Sequence, residues 1–268
     1  MSFINNIKTT GLIDAVQSAQ PEKNGFALFW LGQAGFLIKT CEGHTIAIDP
    51  CLSDFCERQS GLKRLMPTIC GPESFQCDTI LISHEHDDHF DADLIEVMAR
   101  DGRFARLLGP ISIEPFVQGL GLQRLHTRLE YGVPLELPGV EITPMFSDHG
   151  PETPNAMGFL FDFGNMRLYY AGDTAYSPDM LRAAFDAHPD IAIMPINGEL
   201  GNLNAAEAYA LAGELGCRVL VPCHFWMYAL HGACPLELSQ IAQRETGPAV
   251  VWLAQGEGWV TGSDLADI

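Results

Sequence analysis

Basic residues are scarce in this chain. Lysine and arginine together number 15 against 34 aspartates and glutamates, a formal charge of −19 over 268 residues. Such a field repels nucleic acid and anionic membranes, so neither is expected as a partner. No apolar run approaches the roughly 18 residues of a membrane span. The first residues, MSFINNIKTTGLIDAVQ, lack a basic start, a long apolar stretch and a small-residue cleavage site, so no secretory signal is expected. No C-x-x-C pair occurs among the eight cysteines (Cys41, Cys51, Cys56, Cys70, Cys77, Cys217, Cys223 and Cys234). The expectation is therefore reduced, mostly buried thiols in a cytoplasmic protein. No G-x-S-x-G elbow is present, and no serine or cysteine nucleophile is assigned. No low-complexity tract or linker divides the chain, so one domain over 1–268 is expected.

What is plentiful is apolar. Hydrophobic residues make up 47% and charged residues 18%, which fits a compact chain with a large interior. Short apolar runs alternate with polar turns. Phe26 to Leu31 and Phe36 to Ile38 read as paired strands around Gly32-Gln33-Ala34-Gly35, and Thr45 to Ile48 as a third strand ending at Asp49-Pro50. Thr79 to Ser83 has the continuous apolar character of a strand buried on both faces. Asp91 reads as a helix N-cap before Leu94, Ile95, Val97 and Met98.

Arg106 to Leu108 and Arg124 to His126 read as short strands around a helix near Ile113 to Leu120. Val140 to Phe146, Met157 to Phe163 and Met166 to Ala171 form a meander, and Ile191 to Pro195 and Arg218 to Pro222 are two more buried strands. Asn204 with Glu207 predicts a capped helix between them. Val250 to Ala254 and Gly258 to Thr261 are expected to close the chain as a hairpin. The order suggests two similar halves, each a mixed sheet with helices on one face. Packed face to face, these would make an αββα four-layer sandwich with the helices outside.

The chemistry concentrates in His84-Glu85-His86-Asp87-Asp88-His89, which holds three of the nine histidines directly after a buried strand. In an extended backbone His84 and His86 point to one side, so both imidazoles can reach one cation, while Glu85 and Asp87 point away. Asp88 and His89 continue toward the helix start and can reach a second point. Imidazole and carboxylate suit zinc, iron and manganese. Three further candidates sit at strand ends: His149 in Ser147-Asp148-His149-Gly150, Asp173 in Ala171-Gly172-Asp173-Thr174, and His224 after Pro222-Cys223. Asp49 is a candidate supporting carboxylate.

An H-x-H-x-D-H run followed by a single His, a Gly-Asp-Thr and a C-terminal His resembles the ordered ligand set of the metallo-β-lactamase superfamily. The resemblance runs from about Trp30 to His224 and beyond. It implies the αββα sandwich and a dinuclear site at its edge. His84, His86 and His149 would hold the first metal; Asp88, His89 and His224 would hold the second; Asp173 would bridge them. The phrases Trp30-Leu31-Gly32-Gln33-Ala34-Gly35-Phe36, Asp148-His149-Gly150, Ile196-Asn197-Gly198 and Pro222-Cys223-His224-Phe225-Trp226 look like the UlaG-like branch, whose named activity is hydrolysis of L-ascorbate 6-phosphate lactone. Glu85 and Asp87 depart from that enzyme's metal motif.

These implications define the expected function. It is a metal-dependent hydrolase that uses two divalent ions, zinc or manganese before iron, to activate water against a small ester, lactone or phosphoester. Asp88 would both ligate and orient the attacking group. Asn197, Asn202, Tyr228 and His231 are candidates for substrate binding, with helix capping the simpler role for Asn204. The expected partner is a small-molecule substrate; a homo-oligomer is left open. The alternatives are a nuclease or phosphodiesterase of the same fold, or a di-iron oxidoreductase. The scarcity of Lys and Arg argues against a nuclease and against a strongly anionic substrate.

Overall fold

The computed structural model describes residues 2–4, 7–262 and 265, with side chains from residue 11 onward. In chain order its elements are β1 (Ser2–Ile4), α1 (Ile7–Ser18, kinked at Gly11), β2 (Phe26–Gly32), β3 (Gly35–Thr40), β4 (Thr45–Ile48), α2 (Phe55–Ser60), β5 (Thr79–Leu81), α3 (Ala92–Arg100) and β6 (Arg106–Gly109). Next come a short 3₁₀ turn (Ile111–Ile113), α4 (Glu114–Gly119), β7 (His126–Arg128), β8 (Leu135–Leu137), β9 (Val140–Phe146), β10 (Met157–Asp162) and β11 (Arg167–Tyr170). The chain finishes with α5 (Arg182–Ala187), β12 (Ile191–Pro195), α6 (Ala205–Glu214), β13 (Val219–Cys223), α7 (Pro235–Arg244), β14 (Ala249–Val250) and β15 (Gly258–Val260). No helix among the described residues is long and apolar enough to cross a membrane.

Two mixed sheets form. One has the order β1-β15-β2-β3-β4-β5-β6-β7, the other β14-β13-β12-β11-β10-β9-β8. In the first, β4 to β7 run parallel; in the second, β11 to β14 do. Parallel strands need helical crossovers that cover a face, which is why the inner strands β5, β12 and β13 are buried along their whole length.

Strand β2 shows the division of labour. Phe26, Leu28 and Trp30 join the core between the sheets, with Phe159, Phe161 and Tyr170 from the other side. Ala27, Phe29 and Leu31 face the opposite way and pack with Leu12, Leu94, Ile95 and Met98 of α1 and α3. The layers are therefore helix, sheet, sheet, helix, the αββα sandwich expected. The sheets meet tightly: Phe26 of β2 stacks on Phe163, beyond the end of β10, with ring centroids 4.4 Å apart.

Local signals explain the helix ends. The Asp91 side chain accepts from Leu94 N to cap α3, and Asn204 and Glu207 form a reciprocal capping box on α6. The expected closing hairpin is not formed. Ala249–Val250 extends the second sheet beside β13, while Gly258–Val260 pairs with β2 in the first. Val251 and Leu253 are buried in the central core, so the segment between the two strands crosses from one sheet to the other. Each strand satisfies an open edge rather than its neighbour. The strand expected at Arg124 to His126 lies two residues later, at His126–Arg128.

Candidate metal centre

The two sheets present the C-terminal ends of their parallel strands at one edge, and the functional side chains are carried there. β5 leads into His84 to His89, β4 into Asp49, β9 into His149, β11 into Asp173 and β13 into His224. Three sets of donor atoms converge within 4.8 Å: His84, His86 and His149; His84, His89 and Asp173; and Asp88, His89 and His224. Asp173 faces two sides. Its Oδ1 is 3.4 Å from His89 Nε2, and its Oδ2 is 3.2 Å from His224 Nε2 and 3.8 Å from His149 Nε2.

The edge is built from backbone that most side chains avoid. Gln33 (φ 51°), Asp49 (φ 43°), His224 (φ 59°) and Trp226 (φ 62°) all lie in the left-handed region. Such strain persists only where surrounding contacts enforce it, and it concentrates at functional sites. Gly172, directly before Asp173, has φ 64°, and a Cβ there would sit 2.7 Å from the Met157 carbonyl oxygen. Only glycine lets that turn pass so close to β10.

Asp49 orders much of the cluster. Fully buried, it accepts from Ser83 N at 2.7 Å, Ser83 Oγ at 2.5 Å, Tyr170 Oη at 2.7 Å and His89 Nδ1 at 2.8 Å. The Ser83 hydroxyl, its proton committed to Asp49, is 2.9 Å from His84 Nδ1 and is left to accept from it. One carboxylate thus orients two imidazoles through their Nδ1–H groups and leaves the Nε2 atom of each to face the rest of the cluster.

The donor set fits a cation. His89 Nε2 and Asp173 Oδ1, 3.4 Å apart inside the cluster, are buried without hydrogen-bond partners. Imidazole nitrogens face one another, His84 Nε2 to His86 Nδ1 at 2.9 Å and His149 Nε2 to His86 Nδ1 at 3.2 Å. Imidazoles gathered this closely, with carboxylates behind them, are the arrangement that divalent transition ions take up when they displace the ring protons. The cluster is capable of binding metal.

The other candidates are placed as follows. Asn202 Nδ2 donates to Asp173 Oδ2 at 2.8 Å. Asn197 Nδ2 donates to the Glu199 carbonyl at 3.2 Å, and its Oδ1 is buried without a partner. The Tyr228 hydroxyl is 3.3 Å from Cys51 Sγ, in a small buried cluster with Cys56 and Met227, so it is not turned to the cleft. His231 is buried beside His224, with ring centroids 4.6 Å apart, and reaches the cleft wall. His44 Nε2 pairs with Thr79 Oγ1 at 3.0 Å, away from the cluster.

Gln33 is a residue that sequence reasoning missed. It is fully buried, and its Nε2 donates to Asp88 Oδ2 at 2.8 Å and lies 2.6 Å from His231 Nδ1. Its carbonyl oxygen accepts from His224 N at 2.9 Å and from Trp30 Nε1 at 3.0 Å. The only local signal was a long polar residue inside an otherwise small and apolar turn.

The cluster's electrostatics are opposed inside the metal-free protein. Burial would push the His224 imidazole down, but Asp173 and the hydrogen bonds to Asp173 and Asp88 outweigh it and raise it from 6.5 to about 9. Burial would push Asp88 and Asp173 up, but His89 and His224 hold both well below the usual carboxylate range. The raised His224 contributes stability that is full below pH 6.5 and lost as pH rises through about 9. The depressed carboxylates contribute stability present above their ordinary 3.8 and lost on acidification. Chelated protein is therefore expected to melt highest at mildly acidic pH and to lose stability toward pH 9. Cation-loaded protein, which needs unprotonated imidazoles, should peak at higher pH. Melting temperature against pH, with and without chelator, checks this; a chelated form that gains stability steadily from pH 6 to 9 would contradict it.

Fold and site together define a hydrolase scaffold built for metal ions, and comparison with known proteins agrees. Residues 27–224 match the family described as "Beta-lactamase superfamily domain". A UPF0173 metal-dependent hydrolase of Rubrobacter xylanophilus is 31% identical over 234 residues, covering 83% of this chain and 90% of that protein. Igni18, a metallo hydrolase from Ignicoccus hospitalis, shares the fold with a TM-score of 0.69 at 24% identity, over 88% of this chain and 98% of its own. An isothiocyanate hydrolase from Delia radicum gut bacteria does so with a TM-score of 0.68 at 16% identity, over 88% and 99%. The chain belongs to the metallo-β-lactamase superfamily and to its UPF0173 metal-dependent hydrolases.

Proposed function

We propose that the protein hydrolyses a small ester or lactone, with His84, His86 and His149 holding one divalent cation, Asp88, His89 and His224 a second, and Asp173 shared between them. The observation that carries this reading is the convergence of His and Asp donor atoms, all but those of His86 on buried residues, at the common edge of the two sheets. Bound there, two zinc or manganese ions would polarise the scissile carbonyl and acidify water.

The chain's own residues do the rest. Asn202 and the Gln33 amide keep Asp173 and Asp88 turned inward, at 2.8 Å each. Asp88 Oδ2 is the acceptor placed to take the proton of the attacking water, whose oxygen bonds to the carbonyl carbon; that proton then passes to the ester or ring oxygen as its bond to the carbon breaks. Because His231 Nδ1 accepts from Gln33 Nε2, its proton is on Nε2, available to donate to a substrate oxygen. The Asn197 Oδ1 atom, buried without a partner, is a second candidate for substrate contact. The resemblance to the UlaG-like lactonase points to a phosphorylated sugar lactone, the member of the class that the acidic cleft disfavours.

The test is elemental analysis followed by a panel of esters, lactones, thioesters and phosphodiesters, with and without the metal found. Turnover that vanishes on chelation and returns with zinc or manganese is expected. Metal-loaded protein inert toward the whole panel would end the reading.

A further inference from the structure

The charge of the cleft narrows the substrate further, on the hydrolase reading above. The cleft in front of His86, Asp88 and His149 has a volume of about 770 Å³. Its walls carry three carboxylates besides Asp88, namely Glu85, Asp87 and Glu152, and no lysine or arginine. Glu85 and Asp87 are the residues by which this chain's H-x-H-x-D-H run departs from the lactonase pattern. Both line the cleft beside His86. The Ser60 hydroxyl donates to Asp87, whereas Glu85 Oε2 is buried with no hydrogen-bond partner. An unpaired carboxylate oxygen at a cleft wall is costly unless a donor or a positive charge arrives.

The rest of the wall is apolar. Leu62, Phe116 and Leu200 line it, and Phe116 and Leu200 are exposed, at 40% and 68%. Exposed large apolar side chains around a cleft are surface held ready for a ligand.

We infer that the substrate is uncharged or cationic, with an apolar portion that lies on Leu62, Phe116 and Leu200, and that phosphorylated or otherwise anionic substrates are excluded. Two divalent cations would be largely neutralised by Asp88, Asp173 and Asp49, formally +4 against −3. The wall then presents three further negative charges to whatever approaches. An anionic end group faces like charges across a partly desolvated gap, where repulsion is stronger than in bulk water. A quaternary or protonated amine instead meets the Glu85, Asp87 and Glu152 carboxylates of the wall. This is specificity by repulsion as much as by attraction.

The experiment uses matched esters that share one leaving group and one acyl chain and end in tert-butyl, trimethylammonium or phosphate. The metal-loaded protein is expected to show kcat/KM at least tenfold higher for the neutral and cationic members than for the phosphate. Glu85→Gln and Glu152→Gln, singly and combined, should shrink that ratio stepwise with metal content unchanged by elemental analysis. The matched amides, which resist hydrolysis, report the same preference by calorimetric binding. If all esters are inert yet the amides bind in the expected order, the hydrolase reading fails and this inference stands. Phosphate ester turned over as well as the neutral one, a ratio untouched in the double variant, or amides that bind in the reverse order or not at all, would overturn it.

Discussion

Asp173→Ala is expected to lower turnover roughly a thousandfold, equivalent to about 4 kcal/mol of transition-state stabilisation, and to reduce bound divalent cation from two equivalents toward one. The reason is positional. Asp173 Oδ1 approaches His89 and its Oδ2 approaches both His149 and His224, so this one carboxylate faces donors of both proposed metal positions. Its loss also strands the Asn202 amide, which donates to Oδ2. Asp173 lies outside the apolar core between the sheets, so the circular dichroism spectrum should stay native even as stability falls. Asp173→Asn keeps the shape while removing the charge, and should fall between wild type and alanine in metal content. A variant that retains full turnover and both equivalents would remove Asp173 from the centre altogether.

Asp49→Ala is expected to be the most destabilising single change near the site. The substitution leaves Ser83 N–H, Ser83 O–H, Tyr170 O–H and His89 Nδ1–H without their shared acceptor, all of them buried. Breaking a buried charged network of this kind costs about 3–5 kcal/mol. For a chain of this size each kcal/mol moves the melting point by roughly 2–4 °C, so the midpoint should fall by about 6–20 °C. Metal affinity should fall with it by roughly 10–100-fold, because His84 and His89 lose the partner that orients them. Calorimetry with and without added zinc separates the two effects. A melting point within 2 °C of wild type would show that the network contributes little.

The sandwich and the cluster were largely legible in the sequence for one physical reason. Strands buried on both faces are continuous apolar runs, and the polar residues that interrupt them at one end stand out. His84 to His89, His149, Asp173 and His224 are each such an interruption. Gln33 was harder to read because its partners, Asp88 and His224, are distant in the chain; Asp49 was legible as a supporting carboxylate, but not its distant partners His89 and Tyr170. Nothing local to Gly32-Gln33-Ala34-Gly35 announces those contacts. Tyr228 illustrates the opposite case. A tyrosine four residues beyond a candidate ligand reads as a substrate contact, yet its hydroxyl turns to Cys51, which only the packing of the Cys56–Met227 cluster reveals.

The ends of the chain were illegible on different grounds. α7 carries a single buried residue, Leu238, so its periodicity is faint. β14 and β15 are two and three residues long, and their places are set by open edges on different sheets rather than by their own pattern. A hairpin reading was reasonable for their composition and wrong for the topology.

Tyr170 belongs to the second sheet, yet its hydroxyl reaches the Ala34 carbonyl and the Asp49 carboxylate of the first. His84 to His89 ride on one sheet, while His149, Asp173 and His224 ride on the other. The relative slide of two slabs is therefore the true coordinate of the centre. A change deep in the seam between them, such as trimming Phe26 or Phe163, would displace half of the donors relative to the other half while touching none of them. Chemistry in this protein is hostage to alignment of the whole sandwich, so catalytic failure can originate in residues that never see a substrate.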